Sequence, residues 1–238
     1  MTTTGKGTVA LVGSGEYLQG MFPVDKKLLE RIIGTPRVVV LPTASAPDGK
    51  SVAERWASMS VEHFAKLGVT AEPVMLLNRA DAENADISSK LVDANFIYFS
   101  GGKPRYLLET LQGTRSWQAI LDVFAAGGII AGCSAGAMVL GGDVFDFPQV
   151  WRTIPALGLV PGIAIIPHFD ELPSVMVGTV TRGRHKATIV GIDGTTALVG
   201  SDQQWIVYGR GSVTVFTKNG EQRYIEGQIV PLDELLKK

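Results

Sequence analysis

Five short apolar runs in the first 131 residues, each followed by a stretch long enough for a helix, restrict the folds open to this chain. The runs at residues 8–12, 37–41, 69–76, 96–99 and 128–131 carry apolar side chains at consecutive rather than alternate positions. Such strands are buried on both faces, and their alternation with helices predicts a parallel sheet covered on each side. Helices are predicted at 25–33, 51–67, 82–92, 104–111 and 116–126, with Trp56, Phe64 and Leu67 sharing one face of the second.

The pattern then changes. A strand at 163–166 and a helix at 172–186 precede short strands at 189–192, 196–200, 205–208, 213–216 and 222–225, parted by turn signals such as Asp193-Gly194 and Asn219-Gly220. These read as an antiparallel C-terminal portion. The expected fold class is α/β: a mostly parallel sheet flanked by helices with an antiparallel C-terminal β extension, built as one domain over residues 1–238.

Composition narrows the partners. The chain is 45% hydrophobic and 19% charged with a formal net charge of −1, which fits a globular protein without a nucleic-acid or membrane-surface footprint. Its single cysteine, Cys133, rules out an internal disulfide framework and a multi-cysteine zinc site, and fits a reducing compartment. Val9-Ala10-Leu11-Val12 is too short for a signal-peptide core or a membrane span, so the default location is cytoplasmic.

Gly132-Cys133-Ser134-Ala135-Gly136 joins the apolar run at 128–131 to a helix-forming Ala137-Met138-Val139-Leu140. Small residues two places either side of a serine are what a nucleophile elbow needs, because its strained backbone brings strand and helix into contact there. The turn lifts the Ser134 hydroxyl above the carboxyl edge of the sheet and sets the Ala135 N–H at a helix N-terminus, where an oxyanion is stabilised. Cys133 competes as nucleophile but should point into the core as a small hydrophobe.

A serine needs a base, and the chain has three histidines. His63 lies mid-helix and reads as structural; His185 sits in a cationic stretch suited to a helix C-terminus. His168 follows an apolar strand and Pro167, at the sheet edge where α/β proteins build sites. For the group orienting its imidazole, Asp170 stands two residues away; Asp143, Asp146, Glu171 and Asp193 are alternatives. Gly101-Gly102 after the fourth strand suits a second oxyanion donor. Gly13-Ser14-Gly15 resembles part of a dinucleotide fingerprint, but its third glycine is misplaced and no fitting acid follows.

Together these segments resemble the aspartyl dipeptidase and cyanophycinase family of serine peptidases, built on a class I glutamine amidotransferase-like fold. The resemblance rests on Gly13-Ser14-Gly15-Glu16, Val40-Leu41-Pro42-Thr43-Ala44-Ser45, Tyr98-Phe99-Ser100-Gly101-Gly102, Gly132-Cys133-Ser134-Ala135-Gly136-Ala137 and Pro167-His168-Phe169. It implies Ser134 as nucleophile, His168 as base, amides near Gly102 and Ala135 as oxyanion hole, and no metal or cofactor. The glutamate such sequences carry late in the chain would fall on Gly194, so the third member is displaced or absent; Asp170 is the first substitute and Asp193 the next. The family's aspartyl substrates call for an arginine fork, for which Arg105, Arg182 and Arg184 are the candidates.

The expected activity is hydrolysis of small peptides or isopeptides through an acyl-enzyme, with a small peptide as partner and self-association as a homodimer left open. The alternative is a weak or inactive amidotransferase-like binding module, motivated by Gly194. An α/β-hydrolase esterase fits less well, because five strands follow His168 where that fold places its histidine near the chain end.

Overall fold

The computed structural model describes residues 7–146, 149–181, 187–201, 204–217, 220–232 and 234. The chain opens with β1 (Thr8–Val12), α1 (Phe22–Leu29), β2 (Val38–Leu41) and α2 (Lys50–Lys66). Next come β3 (Ala71–Pro73), α3 (Arg79–Glu83), α4 (Ala85–Val92), β4 (Phe96–Phe99), α5 (Pro104–Leu111), α6 (Arg115–Ala125), β5 (Ile129–Cys133) and α7 (Ala135–Leu140).

Local chemistry explains the departures from expectation. The helix predicted at 82–92 is two helices, because Asn84 takes an extended conformation and its side chain accepts from the Asp86 and Ile87 N–H groups, capping α4. The strand predicted at 69–76 pairs only over Ala71–Pro73, at the sheet edge where a proline is tolerated. α1 begins at Phe22 with Pro23 in its first turn, three residues earlier than predicted.

The second half contains β6 (Gly141–Asp146), β7 (Gln149–Pro155), β8 (Val160–Ile166), α8 (Ser174–Thr181), β9 (Thr188–Ile192), β10 (Thr196–Ser201), β11 (Gln204–Gly209), β12 (Ser212–Thr217), β13 (Gly220–Ile225) and β14 (Ile229–Val230). The antiparallel C-terminal portion exists but divides between two sheets. Among the described residues the main sheet runs β14-β11-β10-β1-β5-β4-β2-β3, with β1, β5, β4, β2 and β3 mutually parallel and β10 antiparallel to β1. A second sheet runs β13-β12-β9-β8-β6-β7, in which β6, β8 and β9 are parallel. The predicted helix at 172–186 is α8 preceded by a 3₁₀ turn at Phe169–Glu171; residues 182–186, and Asn219 of the predicted turn, lie outside the described residues.

Consecutive apolar residues serve both faces of the main sheet, as the period of two requires. Val9 and Leu11 join one core with Val39, Leu41, Ile97, Phe99 and Ile130, which continues into the second sheet through Ile163, Ile165 and Val190. Ala10 and Val12 join the other with Val40, Phe96, Tyr98 and Cys133, covered by Leu28 of α1 and Phe64 of α2.

β1, β5 and β4 are neighbours, so the loops after their carboxyl ends share one edge. Residues 193–195 link the two sheets there: the Thr195 N–H donates to Ser14 O at 3.0 Å and the Gly13 N–H to Thr196 O at 2.9 Å.

Candidate active site

Ser134 sits between β5 and α7 with φ 50° and ψ −109°, a conformation disfavoured for an L-residue. Close packing imposes the small flanks. A Cβ on Gly132 would lie 2.5 Å from Gly136 C, and one on Gly136 would lie 2.7 Å from Phe99 O. The Ser134 N–H donates to Val12 O at 3.0 Å, tying the turn to β1. Gly102, at φ 142°, is equally constrained, since a Cβ there would collide with Ala44 O.

His168 follows Ile166 and Pro167 and takes a left-handed conformation, φ 51° and ψ 37°, which starts the 3₁₀ turn. The Phe169 ring anchors that turn by packing against Phe216, with centroids 5.7 Å apart, and over the bare face of Gly191. The turn presents the imidazole to the elbow: His168 Nε2 lies 3.2 Å from Ser134 Oγ. His168 Nδ1 lies 3.2 Å from Glu171 Oε2. With Nδ1 protonated and donating to Glu171, Nε2 accepts the hydroxyl proton of Ser134.

The carboxylate at His168 is therefore Glu171, not Asp170. In a 3₁₀ turn residues i and i+3 eclipse, which stacks Glu171 on His168 and turns residue i+2 away. Asp170 Oδ1 instead accepts from the Gly194 N–H at 2.7 Å. Asp193 is committed elsewhere, taking the Ser212 N–H at 2.8 Å and its hydroxyl at 2.6 Å. Asp146 pairs with Arg105 and Arg152. Gly194 borders the cleft that also holds His168, Asp170 and Glu171, and a Cβ there would meet Ser14 Oγ at 2.9 Å.

Arg105 does not line the cavity at Ser134. Its Nε holds Glu109 Oε1 at 2.9 Å and its Nη1 holds Asp146 Oδ1 at 2.8 Å, so the fork faces carboxylates of this chain. Arg182, Arg184 and His185 lie outside the described residues. His63, read as structural, is fully buried and bonds Asp25 Oδ2 through Nε2 at 2.7 Å.

Two cavities meet at His168. One, of about 330 Å³, is lined by Gly102, Ser134, Ala135 and His168 together with apolar side chains. The other, of about 470 Å³, holds Glu16, Trp56, His168, Asp170 and Glu171. A larger hollow of about 630 Å³ lies at the amino ends of β2, β4 and β5, around Arg31, Arg37, Asn95 and Asp122, with no nucleophile in it. Among the described residues no cluster of three His, Cys, Asp or Glu could hold a metal ion, and no helix is long and apolar enough to cross a membrane.

Glu16 is the site residue that composition and spacing did not single out. Its buried carboxylate accepts from the Gly101 N–H at 2.7 Å and from Cys133 Sγ at 2.8 Å. It thus ties the Gly-Gly loop to the elbow and occupies the Gly101 amide, leaving Gly102 as the next amide along. Cys133 points into the core as expected, though its S–H also donates. Burial, then the charge of Glu16, pushes its thiol well above the ordinary value. Iodoacetamide at about pH 8 should leave Cys133 untouched in the native protein and alkylate it once urea unfolds the chain. Rapid native alkylation, read by intact mass, would contradict this placement.

Comparison with known proteins agrees with this architecture. A crystal structure of a peptidase from an acI-B1 Actinobacterium superposes with a TM-score of 0.87 at 32% identity, covering 95% of this chain and 97% of that one. A crystal structure of a peptidase E-like protein from Listeria monocytogenes EGD-e gives a TM-score of 0.64 at 22% identity over 87% of this chain and 100% of that one. The fold is class I glutamine amidotransferase-like. An uncharacterized peptidase of Pasteurella multocida is 29% identical over 143 residues, 56% of this chain and 69% of the relative. One from Listeria monocytogenes is 28% identical over 143 residues, 57% and 67% of the two chains. The profile of peptidase family S51 matches residues 9–208, a span that takes in the elbow, the Gly-Gly loop and the His168 turn; the chain belongs to that family.

Proposed function

We propose that this protein is a serine-type peptidase acting on small peptides or isopeptides, with Ser134 as nucleophile, His168 as general base and Glu171 as the group that orients the imidazole. The observation that carries this reading is the continuous relay from Ser134 Oγ to His168 Nε2 and from His168 Nδ1 to Glu171, each step 3.2 Å. Both distances sit at the loose end of the range for a relay without substrate. Family membership supports the peptidase chemistry.

In this mechanism Ser134 Oγ attacks the scissile carbonyl while its proton passes to His168 Nε2. The N–H groups of Ala135 and Gly102 take the oxyanion, and the N-terminus of α7 adds its dipole. His168 then gives the proton to the leaving amine, and water, activated by the same imidazole, releases the acyl group. The whole chain acts as one catalytic domain, because the nucleophile stands on the main sheet while base and orienting acid hang from the second.

Glu171 is 62% exposed and His168 40% exposed, so solvent screens their interaction more than in a buried triad. Glu171→Gln should therefore lower kcat by about 10²-fold, less than the ~10⁴ seen when a buried triad acid is replaced. Asp170→Asn should cost at least about tenfold less than that, since the hydrogen bond Asp170 makes among the described residues is to the Gly194 amide. Steady-state kinetics on a dipeptide library tests the assignment. An Asp170→Asn loss equal to or larger than that of Glu171→Gln would transfer the orienting role to Asp170.

A further inference from the structure

The cavity that holds Ser134 also has walls, and their chemistry bears on the substrate. Met138 of α7, Phe145 of β6, Ile166 of β8, and Leu172, Met176 and Val180 on and before α8 form them. Apart from His168, none of the described residues lining this cavity is an acid or a base. α8 itself, Ser-Val-Met-Val-Gly-Thr-Val-Thr, has no charged residue, and Met176, which lines the cavity, stays 41% exposed. Exposed apolar side chains gathered at the rim of an apolar cavity mark a surface that a ligand covers.

We infer that the residue on the acyl side of the scissile bond is apolar, of the leucine, methionine or phenylalanine class, and that the site rejects an acidic one. The inference rests on the reading of Ser134 as nucleophile. With the carbonyl carbon at Ser134 Oγ and its oxygen toward the Gly102 and Ala135 amides, a side chain on the neighbouring carbon enters the cavity those three residues line. The cavity, at about 330 Å³, has room for a leucine, methionine or phenylalanine side chain. A carboxylate placed there would lose its hydration and find no cation among the described residues: Arg105 is absent from the lining and already holds Glu109 and Asp146. The neighbouring cavity offers an acid no refuge, since Glu16, Asp170 and Glu171 border it.

A series of amino-acid diphenyl phosphonates that differ only in side chain tests this on the full-length chain without requiring turnover. Ser134 Oγ bonds to phosphorus, the bond to one phenoxide breaks, and the serine proton leaves through His168 with the phenol. Intact mass follows the labelling rate. Leucine and phenylalanine analogues should label about 10²-fold faster than the aspartate analogue. Met176→Arg should shrink that ratio at least about tenfold by supplying a cation at the rim. Labelling by the aspartate analogue as fast as by leucine, or a ratio unmoved by Met176→Arg, overturns the inference while Ser134 stands. Failure of every phosphonate, and of a small alkyl fluorophosphonate, overturns the nucleophile and the inference with it.

Discussion

His168→Asn is expected to lower kcat on a small peptide substrate by about 10⁴–10⁶-fold, the range found when the base of a serine relay is removed. Asparagine suits the test because position 168 has φ 51° and ψ 37°, which asparagine tolerates better than most residues, so the turn should survive the exchange. The effect should fall on kcat, since the imidazole moves protons and contributes little to holding the peptide. Circular dichroism and the denaturation midpoint should stay close to wild type. A loss smaller than about tenfold, with the fold intact, would mean that His168 is not the base.

Asp25→Ala is expected to destabilise the protein by about 1–3 kcal/mol, the cost of leaving a buried hydrogen-bonding group without its partner. Asp25 of α1 and His63 of α2 are both completely buried, 2.7 Å apart, and His63 stacks on Phe22 with ring centroids 4.8 Å apart. Burial, opposed by the bond to His63, raises the Asp25 carboxyl above its ordinary value. The pair also has only one bond between its members: Asp25 Oδ1 and His63 Nδ1 lack a partner among the described residues. Removing the carboxylate therefore strands an imidazole in an apolar layer. Urea denaturation should show a lower midpoint with an unchanged slope. Replacing both residues, Asp25→Leu with His63→Leu, should cost less than the sum of the single changes, because no polar group is then stranded. A single-variant effect below about 1 kcal/mol would contradict this reading of the pair. The effect should reach the site, because the Tyr17 ring lies 5.9 Å from His63 and its hydroxyl bonds Ser100 Oγ at 3.0 Å, next to the Gly101-Gly102 loop.

Much of the architecture is legible in the sequence for a physical reason. β1, β2, β4 and β5 are buried on both faces, so their composition alone marks them, and the glycines around Ser134 can be read from the steric needs of one turn. β6 and β7 are not legible in the same way. They fall in Gly141–Asp146 and Gln149–Pro155, where polar and apolar residues mix without a clean period. The division of the C-terminal strands between two sheets depends on long-range pairing that no local pattern encodes.

The acid beside His168 shows the same limit more sharply. Asp170 and Glu171 are adjacent, and proximity in sequence favours the nearer one. What decides between them is that His168 opens a 3₁₀ turn, which a helix predicted to start at residue 172 does not reveal. Glu16 was legible only as part of a glycine-rich loop. Its task appears when β1, β4 and β5 are placed side by side and one carboxylate reaches both the Gly101 amide and the Cys133 thiol.

The relay at Ser134 is tested most directly by intact-mass measurement after exposure to a fluorophosphonate probe, for wild type, Ser134→Ala and His168→Asn. Ser134 as an activated nucleophile predicts one adduct per wild-type chain, located on Ser134 by peptide mapping, none on Ser134→Ala, and a greatly slowed reaction with His168→Asn. An unlabelled wild type, or equal labelling of Ser134→Ala, would contradict it.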